Sequence, residues 1–247
     1  EKENIFLLKK IKETYELNRC VYGSPRITQA LHREAIICSQ PRVARLMRAN
    51  GIVAKTQRKF KATTNSNHTL PVAADLVGQA FGVDGPNKLW VGDITYIDTD
   101  EGWLYLAKVM DAYNREIIGW AVDKRMTKDL VIKAMERAIR KRRPTQSPIF
   151  HSDRGSQYAS YVFRRLLVNN HIRQSMSGKG NCYDNAMAES FFKTLKTELI
   201  YQNKYQTRQE AKQDIFEYIE VFYNRQRLHS ALGYKTPIEY GKLTNVA

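Results

Sequence analysis

Hydrophobic positions in the first fifty residues recur at helical spacing. Ile5, Leu8, Ile11 and Tyr15 predict an amphipathic helix over 4–18. Tyr22-Gly-Ser-Pro-Arg-Ile then reads as a helix start, with Ser24 as N-cap and Pro25 at the first helical position, for a helix over 25–35 that buries Ile27, Ala30 and Leu31. Ser39-Gln40-Pro41 repeats the signal for a helix over 41–50, which buries Val43, Leu46 and Met47 and stops at Gly51. Two short helices with a tight connection, the second bearing Arg42, Arg45 and Arg48, fit a helix-turn-helix. A generic basic helical bundle is the alternative that spacing leaves open. Residues 55–70 lose the pattern and carry Lys55, Arg58, Lys59 and Lys61, the character of a basic linker along a phosphate backbone or in plain solvent.

After Gly85-Pro86 the period changes. Runs 89–98, 103–110 and 116–122 are rich in Trp, Ile, Val, Tyr and Leu and joined by short polar turns, which predicts an antiparallel meander. A helix over 127–142, a strand over 148–152, a helix over 158–170, a short strand over 172–176 and a helix over 184–200 complete the order. Three antiparallel strands followed by βαβα is the order of a ribonuclease-H-like α/β fold, with a mixed five-stranded sheet and flanking helices. One more amphipathic helix is expected over 207–224, before a loop-rich end around Thr236-Pro237. The organisation expected is a small helical helix-turn-helix domain at 1–60, a basic linker at 61–85, the catalytic-type core at 86–200, and a helical extension at 201–247 packed on or following the core.

Composition narrows the partners. The chain of 247 residues has a formal charge of +15 and 43% hydrophobic residues, a globular balance that favours a polyanion such as nucleic acid. Residues 1–70 hold 14 Lys and Arg against 5 Asp and Glu, so the basic excess is densest there. Cys20, Cys38 and Cys182 are odd in number and scattered, neither a disulfide framework nor a zinc set, which suits a reducing compartment. No apolar run has membrane length, and Glu1-Lys-Glu-Asn-Ile has no signal-peptide stretch. The missing initiator Met fits a fragment, a processed form or part of a fusion.

Three carboxylates then stand out by setting: Asp93 in the first strand, Asp153 just past Pro148-Ile-Phe, and Glu189 on a helix 35 intervening residues later. Hard cations such as Mg²⁺ take oxygen ligands and keep waters, so a few carboxylates can hold two ions against a phosphodiester. Taken singly, each Asp also reads as a turn former or cap. Glu189 shares a helix face with Lys193 and Lys196, which is either an ordinary Glu–Lys surface or a ligand flanked by cations that grip DNA. Asp111, ending the second strand, is the competing carboxylate. His151 supports the ligands, accepts a proton or is simply hydrogen-bonded in the core; Asn185 is a second supporting candidate. No phosphate loop or nucleophile signature is present.

Longer motifs carry a resemblance. Trp90-x-x-Asp-Ile-Thr-Tyr-Ile, Gly102-Trp-Leu-Tyr-Leu-Ala, His151-Ser-Asp-Arg-Gly-Ser-Gln-Tyr, the run from Gly180-Asn-Cys-Tyr through Glu189-Ser-Phe-Phe, and Tyr223-Asn-x-x-Arg-x-x-x-x-Leu-Gly-Tyr-x-Thr-Pro closely resemble IS3-family insertion-sequence transposases, whose core is similar to retroviral integrases. The resemblance spans residues 19–242. It implies a DDE polynucleotidyl transferase in which Asp93, Asp153 and Glu189 hold two Mg²⁺ (or Mn²⁺) ions, and in which Lys193 and Lys196 contact the element's DNA end. It further implies a homo-multimer on paired terminal inverted repeats and target DNA, without a membrane partner, in the bacterial cytoplasm at the nucleoid. The zinc-binding N-terminal domain of retroviral integrases is absent from this pattern, as is the family's upstream zipper segment. Two rivals remain: a ribonuclease H on RNA–DNA hybrids, for which Asp111 would supply a fourth carboxylate, and a non-catalytic DNA-binding regulator.

Overall fold

In the computed structural model, residues 2–55, 71–78, 80–178 and 186–243 are described. Helices α1 (Lys2–Leu17), α2 (Ser24–Arg33) and α3 (Gln40–Ala49) pack around Leu7, Ile11, Ile27, Leu31, Val43 and Met47. Ser39 caps α3 as expected, its hydroxyl accepting from the Arg42 N–H. The α2 start differs by one residue. Gly23 occupies the cap position and Ser24 is the first helical residue, because Pro25 already suits the first turn without a side-chain cap.

The core is a sheet in the order β3-β2-β1-β4-β5. Strands β1 (Leu89–Ile97), β2 (Leu104–Asp111) and β3 (Ile117–Asp123) form the antiparallel meander, and β4 (Ile149–Ser152) and β5 (Arg173–Met176) add in parallel beside β1. The mixed five-stranded sheet with flanking helices is the ribonuclease-H-like arrangement that the element order predicts. Alternation splits the strands between two apolar layers. Trp90, Ala107, Val109 and Phe150 meet α4 (Lys128–Arg142), α5 (Ser156–Ala159) and α6 (Tyr161–Asn169). Val91, Leu106 and Met110 join the layer of α7 (Ala186–Glu198), α8 (Arg208–Phe216) and the N-terminal helices.

Three helical expectations are corrected. The helix expected over 158–170 is broken at Ser160, which ends α5 and caps α6 by accepting from the Phe163 N–H. The helix expected over 207–224 is α-helical only to Phe216 and widens to π geometry over Glu217–Tyr223, so that Tyr218, Ile219, Phe222 and Tyr223 are all buried. The loop-rich end contains α9 (Pro237–Lys242), started by a capping box between Thr236 and Glu239.

The C-terminal segment joins the layers. Glu198, the last residue of α7, accepts from Arg227 through both oxygens (2.8 and 2.6 Å) and from the Tyr218 hydroxyl (2.7 Å), all buried. Next to it the Leu228 N–H donates to the Tyr22 hydroxyl at 2.7 Å, and Arg26 donates to the Leu228 carbonyl at 3.0 Å. Arg33 donates to both Glu239 oxygens. The N-terminal helices are thus seated on the segment that anchors α7.

Candidate active site

Strands β1 and β4 pair only from Leu89 with Ile149 to Val91 with His151, and then part. Just past the paired stretch, Gly92 has no side chain where a Cβ would lie 2.2 Å from the Phe150 ring, so the ring can approach β1 closely. Continuing the register by two residues sets Asp93 opposite Asp153, which lies one residue beyond β4. On the other side, Lys108 of β2 is the cross-strand partner of Asp93. Lys108, Asp93 and Asp153 therefore form a row across three strands, at the carboxyl end of parallel strands where α/β folds place ligands.

The row is electrostatically unsettled. Burial and the neighbouring Asp153 charge push the Asp93 carboxyl up to about 7, with a smaller upward push from Glu189. One Asp93 oxygen accepts from the Ile94 N–H (2.8 Å), and one Asp153 oxygen from the Gly155 N–H (2.9 Å). Lys108 is only 1% exposed, and its ammonium has no hydrogen-bond partner among the described residues. It lies over the rings of Phe191 and Phe192 on α7, and burial lowers its pKa. The Tyr158 hydroxyl of α5 is also buried without a hydrogen-bond partner among these residues, and burial with the Asp93 and Asp153 charges raises its pKa well above the ordinary tyrosine value.

Glu189 lies exposed in the first turn of α7, two residues before Phe191; burial still raises its pKa. Asp93 and Asp153 are brought together, whereas Glu189 stands at the margin. Among the described residues no three metal-ligating side chains are already gathered into an ion site. The pair nonetheless fits a hard divalent cation: adjacent carboxylates raise one another's proton affinity, and such an ion relieves that repulsion. On α7, Lys193 is exposed and Lys196 is half-buried with its ammonium 4.7 Å from the Tyr96 ring centroid; burial lowers its pKa and Asp93 raises it.

Asp111 is removed from this row. It faces Trp90 in the register, is fully buried, and accepts from the Asn87 (3.0 Å) and Tyr113 (3.1 Å) N–H groups, with Arg142 3.6 Å away. His151 is buried with Nδ1 2.9 Å from the Ser175 hydroxyl and 3.9 Å from Asp75. The Ser175 hydroxyl also accepts from the Leu76 N–H, so this cluster ties the end of the expected linker to β5. Arg42 is drawn to α1 by Asn4 (2.9 Å) and Glu3 (3.2 Å), while Arg45 and Arg48 are exposed and Lys55 is partly exposed. Arg58, Lys59, Lys61 and Asn185 lie outside the described residues. Sequence reasoning missed Lys108 and Tyr158. Lys108, in the apolar run Leu104–Met110, was the available signal, a charge where a strand has none to spare.

Comparisons with known proteins decide what carries this site. The chain matches the family models described as Integrase core domain over residues 83–182 and 189–244, and HTH-like domain over residues 1–60. It is 44% identical over 97% of its length to the transposase for insertion sequence element IS904 of Lactococcus lactis, covering 95% of that protein. The chain belongs to the IS3-family insertion-sequence transposases. It is also 43% identical to the Escherichia coli transposase InsF for insertion sequence IS3A, over 89% of the chain and 76% of that protein. With an integrase core, this transposase acts in DNA transposition. A solved simian T-cell lymphotropic virus intasome in complex with PP2A regulatory subunit B56 gamma has a similar fold, with a TM-score of 0.53 and 18% identity over 94% of this chain and 74% of that one. Among the described residues no helix is long and apolar enough to cross a membrane.

Proposed function

We propose that this transposase cleaves DNA at the terminal inverted repeats of its insertion sequence and joins the freed ends to target DNA, using divalent cations held by Asp93, Asp153 and Glu189. The observation that carries the reading is the Asp93–Asp153 pair at the parting of β1 and β4, where burial and mutual repulsion raise the Asp93 pKa. When bound, two Mg²⁺ or Mn²⁺ ions activate the attacking oxygen and stabilise the leaving one. The chain's own part is positional. The sheet fixes the two aspartates, α7 brings Glu189 from its first turn, and Tyr158 and Phe150 keep water from the floor of the site. Lys193 and Lys196 hold the DNA end through its phosphates, and Arg45 and Arg48 hold the flanking duplex in the same way. Such binding weakens steeply with added salt. Paired ends call for a homo-multimer of this chain in the bacterial cytoplasm, at the nucleoid.

The test is incubation of the full chain with labelled inverted-repeat DNA and Mg²⁺, resolving hydrolysis of single ends from end joining. Asp153→Asn is expected to lose both products and keep DNA binding; full activity in that variant refutes the site. A ribonuclease H reading would need Asp111 beside the pair, and its two N–H donors and Arg142 hold it elsewhere.

A further inference from the structure

Beyond the carboxylates, the end of β1 with the turn after it and the segment following α7 line an open cavity of about 360 Å³. Its walls include Tyr96, Trp103 and Tyr201, and Lys196 borders it. Tyr96 and Trp103 meet edge to face, their centroids 4.9 Å apart, and the Lys196 ammonium lies over the Tyr96 ring. Tyr96 is three residues from Asp93 along β1 and so on the other face by strand alternation; the link to the carboxylates is Lys196, which lies over the Tyr96 ring and is also reached by the Asp93 charge. Trp103 is 48% exposed, whereas Trp90 and Trp120 are 0% and 6% exposed. An exposed tryptophan beside a tyrosine, at the mouth of a cavity bordering a DNA-processing centre, is the usual makeup of a base-stacking platform.

The lining charges help to define the ligand. Lys196 and Lys204 are offset by Asp98 and Asp100, and Lys204 already lies 3.5 Å from Asp100. A balanced rim gives a lone phosphate little to select, while the aromatic walls select a flat π-face. We propose that this cavity takes one unpaired nucleobase of the DNA strand next to the reacting phosphodiester, stacked on Trp103 and Tyr96, with Lys196 at its 5′ or 3′ phosphate. This rests on the DNA-end reading above. It adds that the end is opened, with one base withdrawn from the duplex, before the backbone reaches Asp93 and Asp153.

The full chain, in chelator and without metal, is titrated with three probes: a short oligothymidylate, an abasic deoxyribose-phosphate chain of equal length, and a blunt duplex. Oligothymidylate is expected to quench the Trp103 emission and the other two are not. Trp103→Leu is expected to weaken oligothymidylate binding about tenfold by fluorescence anisotropy, with duplex binding held within about twofold. Equal quenching by the abasic chain would make this a phosphate site, and equal quenching by the blunt duplex a duplex groove; either overturns the proposal, as does unchanged oligothymidylate binding in Trp103→Leu. The Asp153→Asn protein, titrated in parallel, separates the two readings. Its retained cleavage refutes the carboxylate site, while its quenching still judges the cavity.

Discussion

Asp93 and Asp111 lie on neighbouring strands, about three residues apart in register, and both are drawn into the interior of one sheet. They have opposite surroundings. Asp111 receives two main-chain N–H groups and the Arg142 guanidinium, so its charge is answered on several sides. Asp93 has one main-chain N–H, a second carboxylate in its row, and a buried ammonium with no hydrogen bond among the described residues. Burial alone does not separate them, since burial raises both pKa values. What separates a structural carboxylate from one awaiting a ligand is how far its hydrogen-bonding and charge needs are met by the fold.

Substitution at the two positions sharpens that contrast most. Asp93→Asn is expected to lower metal-dependent strand cleavage at least about a thousandfold with DNA binding retained, measured on labelled end DNA. Asp111→Asn should leave that chemistry nearly intact and instead cost about 1–3 kcal/mol of stability in denaturant unfolding, because the amide cannot accept from both the Asn87 and Tyr113 N–H groups as the carboxylate does. Cleavage lost equally in both variants would dissolve the distinction. Lys108→Met removes a positive charge beside Asp93 and is expected to tighten Mg²⁺ binding by up to about tenfold in calorimetry; weaker binding would make Lys108 a support of the site and not a competitor for it.

The smallest effect is in pH. The folded-state pKa of Asp93 lies above its unfolded value, so the folded chain holds that proton more tightly. Its contribution is present at the acid end and is lost as pH rises from the ordinary carboxylate range towards about 7. Metal-free melts should therefore lose a few degrees across that window, and Mg²⁺ or Asp93→Asn should flatten the slope. Burial raises the Asp111 pKa as well, so Asp111 adds a slope of the same sign and Asp111→Asn is expected to remove its own share without the response to Mg²⁺.

Much of the fold was legible because local signals and burial agreed. The change from helical spacing before Gly51 to β-rich runs after Gly85 marks the passage from helices to sheet, and Ser39 marks a true cap. Elements were misread where tertiary packing overrides local pattern. Ser160 divides a helix that its apolar residues seemed to continue, and the turn of the chain at Glu217 takes π geometry to bury Tyr218 and Tyr223 together. His151 shows the same limit: its neighbours in sequence point to the site, while Ser175, distant in sequence, bonds its Nδ1 and Asp75 stands 3.9 Å away.

By itself the sequence determined the element order, the family and which carboxylates are candidates, because these depend on periodicity and on runs of consecutive residues. Only the tertiary structure decided that Asp93 and Asp153 stand side by side, that Lys108 completes their row, and that Asp111 is spoken for. The reason is physical. Strand register sets residues sixty apart against one another, and removal from water then determines which of their charges remain unanswered.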